Sequence, residues 1–256
     1  MIVSQERGGN MNPEAFRSAL QKHQITLNDY QMHQFDTYYH DLIDANQNVN
    51  LTAITAQNEV YLKHFYDSLL PAFFVDALRN EPLRLCDVGA GAGFPSLPLK
   101  IAFPKLAVTI VDSLNKRINF LQSLVTDLNM TNVELIHRRA EDFGNKKSPA
   151  RATFDIVTAR AVAALPVLAE LCLPLVKENG YFIALKASHA DVEIKQAQYA
   201  LQVLGGQLVA DHQLLLPNEA GVRHILIIKK NKPTPKKYPR KAGTPNREPL
   251  LAKETR

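Results

Sequence analysis

The sequence predicts an α/β fold: a largely parallel sheet with helices on both faces, closed by an antiparallel hairpin and preceded by a run of helices. Three observations carry this. From residue 83 onward, short apolar runs alternate with helical segments, an arrangement that gives a parallel sheet covered on both sides. The last two runs, "QLVADHQLLLP" and "RHILIIKK", are parted only by a short turn at 218–221, so they must pair antiparallel. Before residue 80 the apolar spacing is three-and-four, the rhythm of amphipathic helices.

In chain order, "MIVSQERGGN" is polar and reads as a flexible extension, 1–10, ahead of a second methionine. Phe16 and Leu20 mark a first helix; Met32, Phe35, Tyr38, Tyr39 and Leu42 mark a second. "NVNLTAIT" is too rich in Asn and Thr for a helix. A third helix is expected over 59–78, with Leu62, Phe65, Leu69 and Phe73 on one stripe and Pro71 interrupting it. Residues 11–80 would form a helical cap on a main domain, 81–230. In that domain strands at 83–89, 107–113, 133–138, 154–160 and 180–187 are interleaved with helices at 95–102, 116–129, 165–177 and 191–204.

The net charge of +5 hides a split. Residues 229–256 hold ten Lys/Arg against two Glu, leaving twenty against twenty-three in residues 1–228. The basic, proline-punctuated tail, 231–256, lacks the apolar surface to fold alone and suits a polyanion or simply a solvated terminus. Its removal is expected to weaken binding to nucleic acid and leave small-ligand affinity intact. Cys86 and Cys172 lie far apart without CxxC partners and read as core thiols of a reducing compartment. No metal-ligand cluster is expected. No apolar run spans a bilayer and no signal-peptide pattern occurs, so the expected location is the cytoplasm.

The chemistry centres on "CDVGAGAGFPSLPL", residues 86–99. A phosphate loop would need GxxxxGK[ST], but Phe94 and Pro95 follow Gly93. A dinucleotide loop needs a small third residue, which Phe94 is not; counted from Gly91 the pattern is weak. DxGxGxG fits instead. Gly89, Gly91 and Gly93 let the backbone approach a ligand, and the following helix start offers N–H groups to a carboxylate. S-adenosylmethionine has that carboxylate, and an ammonium for Asp87. Asp112, ending the second strand, can accept from ribose hydroxyls, and Glu141 with Asp142 follows the third strand where adenine is often held. Taken singly, Asp112 reads as a helix cap and Glu141/Asp142 as an exposed turn; the ordered set is harder to obtain that way. His137, inside an apolar strand, reads as a core histidine.

With "NVNLTAIT", "HFYDSLL", "DVGAGAGFPSLPLKI", "RAEDF" and "DIVTARAVAAL" in order, the chain resembles the RsmG family, also called glucose-inhibited division protein B, over about residues 12–230, and the C-terminal "KYPRKAGTPN…PL" resembles a tail found in part of that family. Ser96 stands where the family pattern suggests glycine. The resemblance implies a class I SAM-dependent methyltransferase (Rossmann-like) sheet, S-adenosylmethionine as donor, and N7 of the guanine at position 527 of 16S rRNA, on the small ribosomal subunit, as acceptor. It places cofactor contacts at Gly89, Phe94, Asp112, Ala140, Glu141 and Arg160. Substrate-side candidates are Asn50, His64, Lys116, Arg117, Arg139 and Lys186, with Arg160 and Lys186 nearest the chemistry.

Guanine N7 carries a lone pair and no proton, so direct attack on a sulfonium methyl needs no general base. Arg160, ending the fourth strand, either orders the junction and donates to guanine O6 or makes a strand-end ion pair. Lys116 and Arg117 open a helix, a poor place for cations, which favours an external phosphate. His64 is split between RNA contact and packing. A methyltransferase acting on a small molecule or protein, a nicotinamide-dependent oxidoreductase and a non-catalytic RNA binder stay open as alternatives.

Overall fold

The computed structural model describes residues 11–252; the extension expected over 1–10 lies outside the described residues. Helix α1, Pro13–Gln21, starts where Asn12 accepts from the Ala15 N–H at 2.8 Å and Pro13 takes the first helical position. Helix α2, Asp29–Val49, opens on a reciprocal cap between Asn28 and Gln31 and ends at Asn50, whose φ of 51° stops the helix. The third helix expected over 59–78 is not continuous. Gln57–Val60 (α3) widens into a π turn over Tyr61–Tyr66, returns to α over Asp67–Leu69 (α4), and tightens to a 3₁₀ turn over Leu70–Phe73. Pro71, with no N–H to give the preceding turn, forces the last change. Ala77–Asn80 (α5) follows.

The main body then runs β1 Arg84–Val88, α6 Ser96–Ala102, β2 Ala107–Asp112, α7 Asn115–Asp127, β3 Val133–His137, α8 Ala140–Phe143 and β4 Phe154–Arg160. It continues through α9 Leu165–Cys172, β5 Val176–Lys186, α10 Ala190–Leu204, β6 Gly206–Leu215 and β7 Val222–Lys230. The sheet order is β3-β2-β1-β4-β5-β7-β6, with β7 antiparallel to both neighbours and the other pairs parallel. The helix expected over 165–177 stops at Cys172, and β5 begins at Val176, earlier than the glycine suggested.

Alternation along the strands divides the core. Leu85, Ile110, Ile156 and Ile225 face α6 and α7, whereas Cys86, Val111, Val157 and Leu226 face α9 and α10. The N-terminal helices, expected as a cap of their own, share the first of these cores. The rings of Phe16 and Phe35 meet at 5.0 Å and those of Phe35 and Phe65 at 5.1 Å. Both cysteines are free and buried, and burial pushes both thiols well above the usual range. His137 is not in the core: β3 is an outer strand, and the ring lies exposed with Nε2 3.1 Å from the Ser113 carbonyl oxygen.

The segment after β7 departs most from expectation. Instead of leaving the surface as a loose tail, it lies across the α9 side, burying Thr234, Tyr238, Pro245 and Leu250 and forming a last helical turn, α11, Thr244–Arg247. Among the described residues, no helix is long and apolar enough to cross a membrane.

Candidate functional site

At the carboxyl ends of β1, β2 and β4 the chain leaves a cavity of about 510 Å³, within the range of small-ligand sites. Its floor is the turn after β1. Gly91 has φ +61° and a Cβ added there would meet nothing within 4 Å, so the backbone itself faces the open space. At Gly93, φ +99°, a Cβ would lie 2.6 Å from the Tyr38 hydroxyl. That hydroxyl donates to the Ala92 carbonyl at 2.5 Å, so α2 pins the turn from behind.

Gly89, Gly91, Phe94, Asp112, Ala140, Glu141 and Arg160 all line this cavity, joined by Arg117 and Arg139. Asp112 is buried; its Oδ1 accepts from the Leu114 N–H at 2.9 Å, and its Oδ2 lies 3.3 Å from both Arg117 Nη1 and the Gly91 N–H. Arg117 thus has an internal partner. Lys116 turns away, exposed, to a separate groove lined by Asp41, Asp44 and Asp127. Asn50 is exposed and serves as the left-handed end of α2.

Asp87 corrects the expectation of an ammonium partner. It is fully buried and off the cavity wall, accepting from the Ser96 N–H at 3.1 Å. It shares its strand face with Leu85, toward α6, and so occupies the helix start that was expected to receive a ligand carboxylate. Burial pushes its pKa up to about 7, against the hydrogen bond from Ser96 and the charge of Arg160. Among the described residues, its Oδ1 has no hydrogen-bond partner.

Aromatic stacking links the cap to the cavity. Phe94 lies between the rings of Tyr38 (5.4 Å, 11°) and His64 (4.7 Å, 15°), with the Arg160 guanidinium 4.9 Å from its centroid. His64 Nε2 is 2.8 Å from the Thr52 hydroxyl. Burial, reinforced by Arg160, lowers its pKa to about 3, so the ring is neutral at physiological pH. Arg160 donates to Asp67 at 2.9 Å, and Asp67 also accepts from Arg223 at 2.8 Å. The strand-end ion pair and the junction position are therefore both present.

Beyond Arg160 lies a second cavity, about 410 Å³, which shares His64, Arg160 and Ala161 with the first. Lys186 lines this recess rather than the first cavity, its ammonium 2.6 Å from Glu193 and 2.8 Å from the Ala163 carbonyl oxygen. Lys63, Arg160, Lys186 and Arg223 outnumber Asp67 and Glu193 there. Sequence reasoning missed Tyr38, Asp67, Arg223 and the C-terminal Asn246, which lines the first cavity. Asp67 stands in the quoted "HFYDSLL", and its charge was the available sign. Next to the residues that line the recess, Asp191, Asp211 and His224 come within 4.8 Å of one another, a grouping the sequence did not suggest; His224 Nδ1 is 2.9 Å from Asp211.

The strand order, the reversed β7 and the cavity above the first two strands define a class I methyltransferase. Two solved structures share the architecture. Magnesium protoporphyrin IX methyltransferase from Synechocystis PCC 6803, determined with bound SAM, is 16% identical with a TM-score of 0.53 over 80% of this chain and 98% of that one. A sarcosine dimethylglycine methyltransferase described from Galdieria sulphuraria is 9% identical with a TM-score of 0.52, over 78% and 98%.

The family is narrower. The GidB family model, rRNA small subunit methyltransferase G, matches residues 31–221. Ribosomal RNA small subunit methyltransferase G of Lactiplantibacillus plantarum is 61% identical over 242 residues, covering 94% of this chain and 99% of that protein. The Staphylococcus aureus protein of the same name is 54% identical over 243 residues, covering 95% and 100%. The chain belongs to the rRNA small subunit methyltransferase G family.

Proposed function

We propose that the chain transfers a methyl group from S-adenosylmethionine to N7 of a guanine in 16S rRNA, the guanine at 527 that the sequence resemblance implies. The observation that carries this reading is the pair of adjoining cavities, one floored by the glycine turn and one basic, meeting at His64 and Arg160.

The residues of the first cavity suit the donor. A backbone cradle that a side chain at Gly91 would fill and a carboxylate at Asp112 match an adenosine-bearing ligand with hydroxyls to donate. Glu141 and Ala140 bound the same space. Bound there, S-adenosylmethionine supplies an electrophilic methyl on a sulfonium.

The residues of the recess fit a guanine acceptor. Asp67 is held by two arginines and Glu193 by Lys186, so neither carboxylate is free to act as a base. His64 is neutral and stacked. A nucleophile carrying no proton needs none of them. Arg160 presents N–H groups suited to guanine O6, beside N7. Alignment of donor and acceptor, which contributes about 7–11 kcal/mol in favourable cases, is then the main source of rate. N7 lies in the deep, narrow groove of A-form RNA, so the target base must be unpaired or turned outward to enter.

Small subunits lacking the modification, and the naked RNA from them, are incubated with the chain and methyl-labelled S-adenosylmethionine, and the label is mapped by mass spectrometry of RNA fragments. Label at N7 of one guanine is expected. Label on another atom overturns the acceptor assignment, and no label on either substrate overturns the reading.

A further inference from the structure

Composition alone makes the C-terminal segment look like an unstructured polycation. Three anchors draw it onto the body instead. Glu170 on α9 is fully buried, and Arg240 satisfies it with its backbone N–H at 2.8 Å, Nε at 2.9 Å and Nη2 at 2.6 Å. The Arg151 guanidinium donates to the carbonyls of Thr234 and Tyr238 at 2.8 Å. The Gly243 N–H donates to Glu141 Oε1 at 2.8 Å. The third anchor matters most, because Glu141 lines the first cavity and the next residues, Pro245 and Asn246, line it too. Pro245 is buried, while Asn246 is exposed at the cavity, its side chain making no hydrogen bond among the described residues. An amide carries two donors and an acceptor.

We propose that residues 240–250 form a wall of the methyl-donor cavity, and that Asn246 is a donor-binding residue supplied by the C-terminal segment. This rests on the donor reading above. It replaces the expectation that losing 231–256 would spare donor affinity. Pairing Glu141 with Gly243 also leaves that carboxylate shared between the wall and the ligand, so ligand binding and wall placement are coupled at one side chain.

The test is calorimetric titration of S-adenosylhomocysteine, the demethylated donor, into the full chain, Asn246→Ala, and a chain ended after residue 242. The shortened chain keeps Arg240 on Glu170 and Arg151 on its carbonyls but loses Gly243, Pro245 and Asn246. Asn246→Ala should bind about fivefold more weakly, the worth of one neutral hydrogen bond, with the melting temperature of the unliganded protein unchanged. The shortened chain should bind at least about tenfold more weakly, a loss of about 1.4 kcal/mol. Full-chain binding with both variants equally tight overturns this inference alone. A matching fall in the unliganded melting temperature of Asn246→Ala assigns the loss to folding and also overturns it. No heat from the full chain overturns the donor reading, and the wall with it.

Discussion

Gly91→Ala separates the cost of a backbone conformation from the cost of filling a site. Gly91 has φ +61°, and its missing Cβ would touch no atom within 4 Å. Holding alanine in the left-handed region costs about 1–2 kcal/mol. With no overlap to add to that strain, a protein of this size should lose roughly 2–4 °C in melting temperature for each kcal/mol, or about 2–8 °C in all. The added methyl enters the cavity that Gly91 floors, so binding should suffer far more than folding, by at least about tenfold in Kd for S-adenosylhomocysteine. Gly93→Ala is the contrast. It combines φ +99° with overlap at 2.6 Å on Tyr38 and 2.7 Å on Leu97, both buried, and should destabilise more than Gly91→Ala. Differential scanning calorimetry and ligand titration on the two variants read both quantities. Unchanged affinity in Gly91→Ala, with the expected small melting shift, would show that the ligand does not lie on this turn.

Asp67→Ala leaves two largely buried guanidiniums, Arg160 and Arg223, without their carboxylate. Breaking such a pair costs about 3–5 kcal/mol, seen as a fall of the denaturant midpoint at unchanged m-value; a loss under about 1 kcal/mol would mean that solvent replaces Asp67. Tyr38→Phe removes the hydrogen bond to Ala92 while keeping the stack on Phe94, so stability should drop by about 1 kcal/mol and donor affinity severalfold; unchanged affinity would mean the turn holds its shape without α2. His64 and Asp87 give opposing pH dependences. Burial, with Arg160, lowers His64 from 6.5 to about 3, so its contribution is full above pH 6.5 and lost as pH falls toward 3. Burial raises Asp87 from 3.8 to about 7, so its contribution is full below pH 3.8 and lost as pH rises toward 7. Asp87→Asn removes the second slope alone, and its stability should climb more steeply than the parent's between about pH 4 and 6.5. Equal slopes in denaturant titrations would refute that assignment.

What could be read ahead of the structure was local or periodic. The alternating segments and the terminal hairpin follow from spacing along the chain, and the glycine turn from backbone requirements concentrated in five residues. The same period explains one error. Two-residue alternation puts Asp87 on the face of Leu85, toward α6, and off the cavity wall; the motif places the acid in the sequence without giving its face. Other misplacements needed long-range pairing. Lys186 is taken by Glu193 across the turn from β5 into α10, and Arg160 meets Asp67 from 93 residues away in the cap. The exposure of His137 depends on β3 being an outer strand, which sheet order decides and sequence order does not.

The C-terminal segment failed for a different reason. Net charge and proline content count residues as though each faced water, and here Lys230 does not and Arg240 does so only in part. Lys230 is buried and donates to the carbonyls of Leu173 and Val176, at 2.8 and 2.6 Å, beyond the end of α9. A sign was nevertheless present in "LPVLAELC", whose every residue is buried. An acid in the middle of so apolar a helix almost never goes inside unpaired, so Glu170 called for a cation from elsewhere in the chain. The structure supplies Arg240, and a few residues further on Pro245 and Asn246 line the cavity. One buried carboxylate is thus among the anchors that hold against the body a segment that composition marks as unfolded.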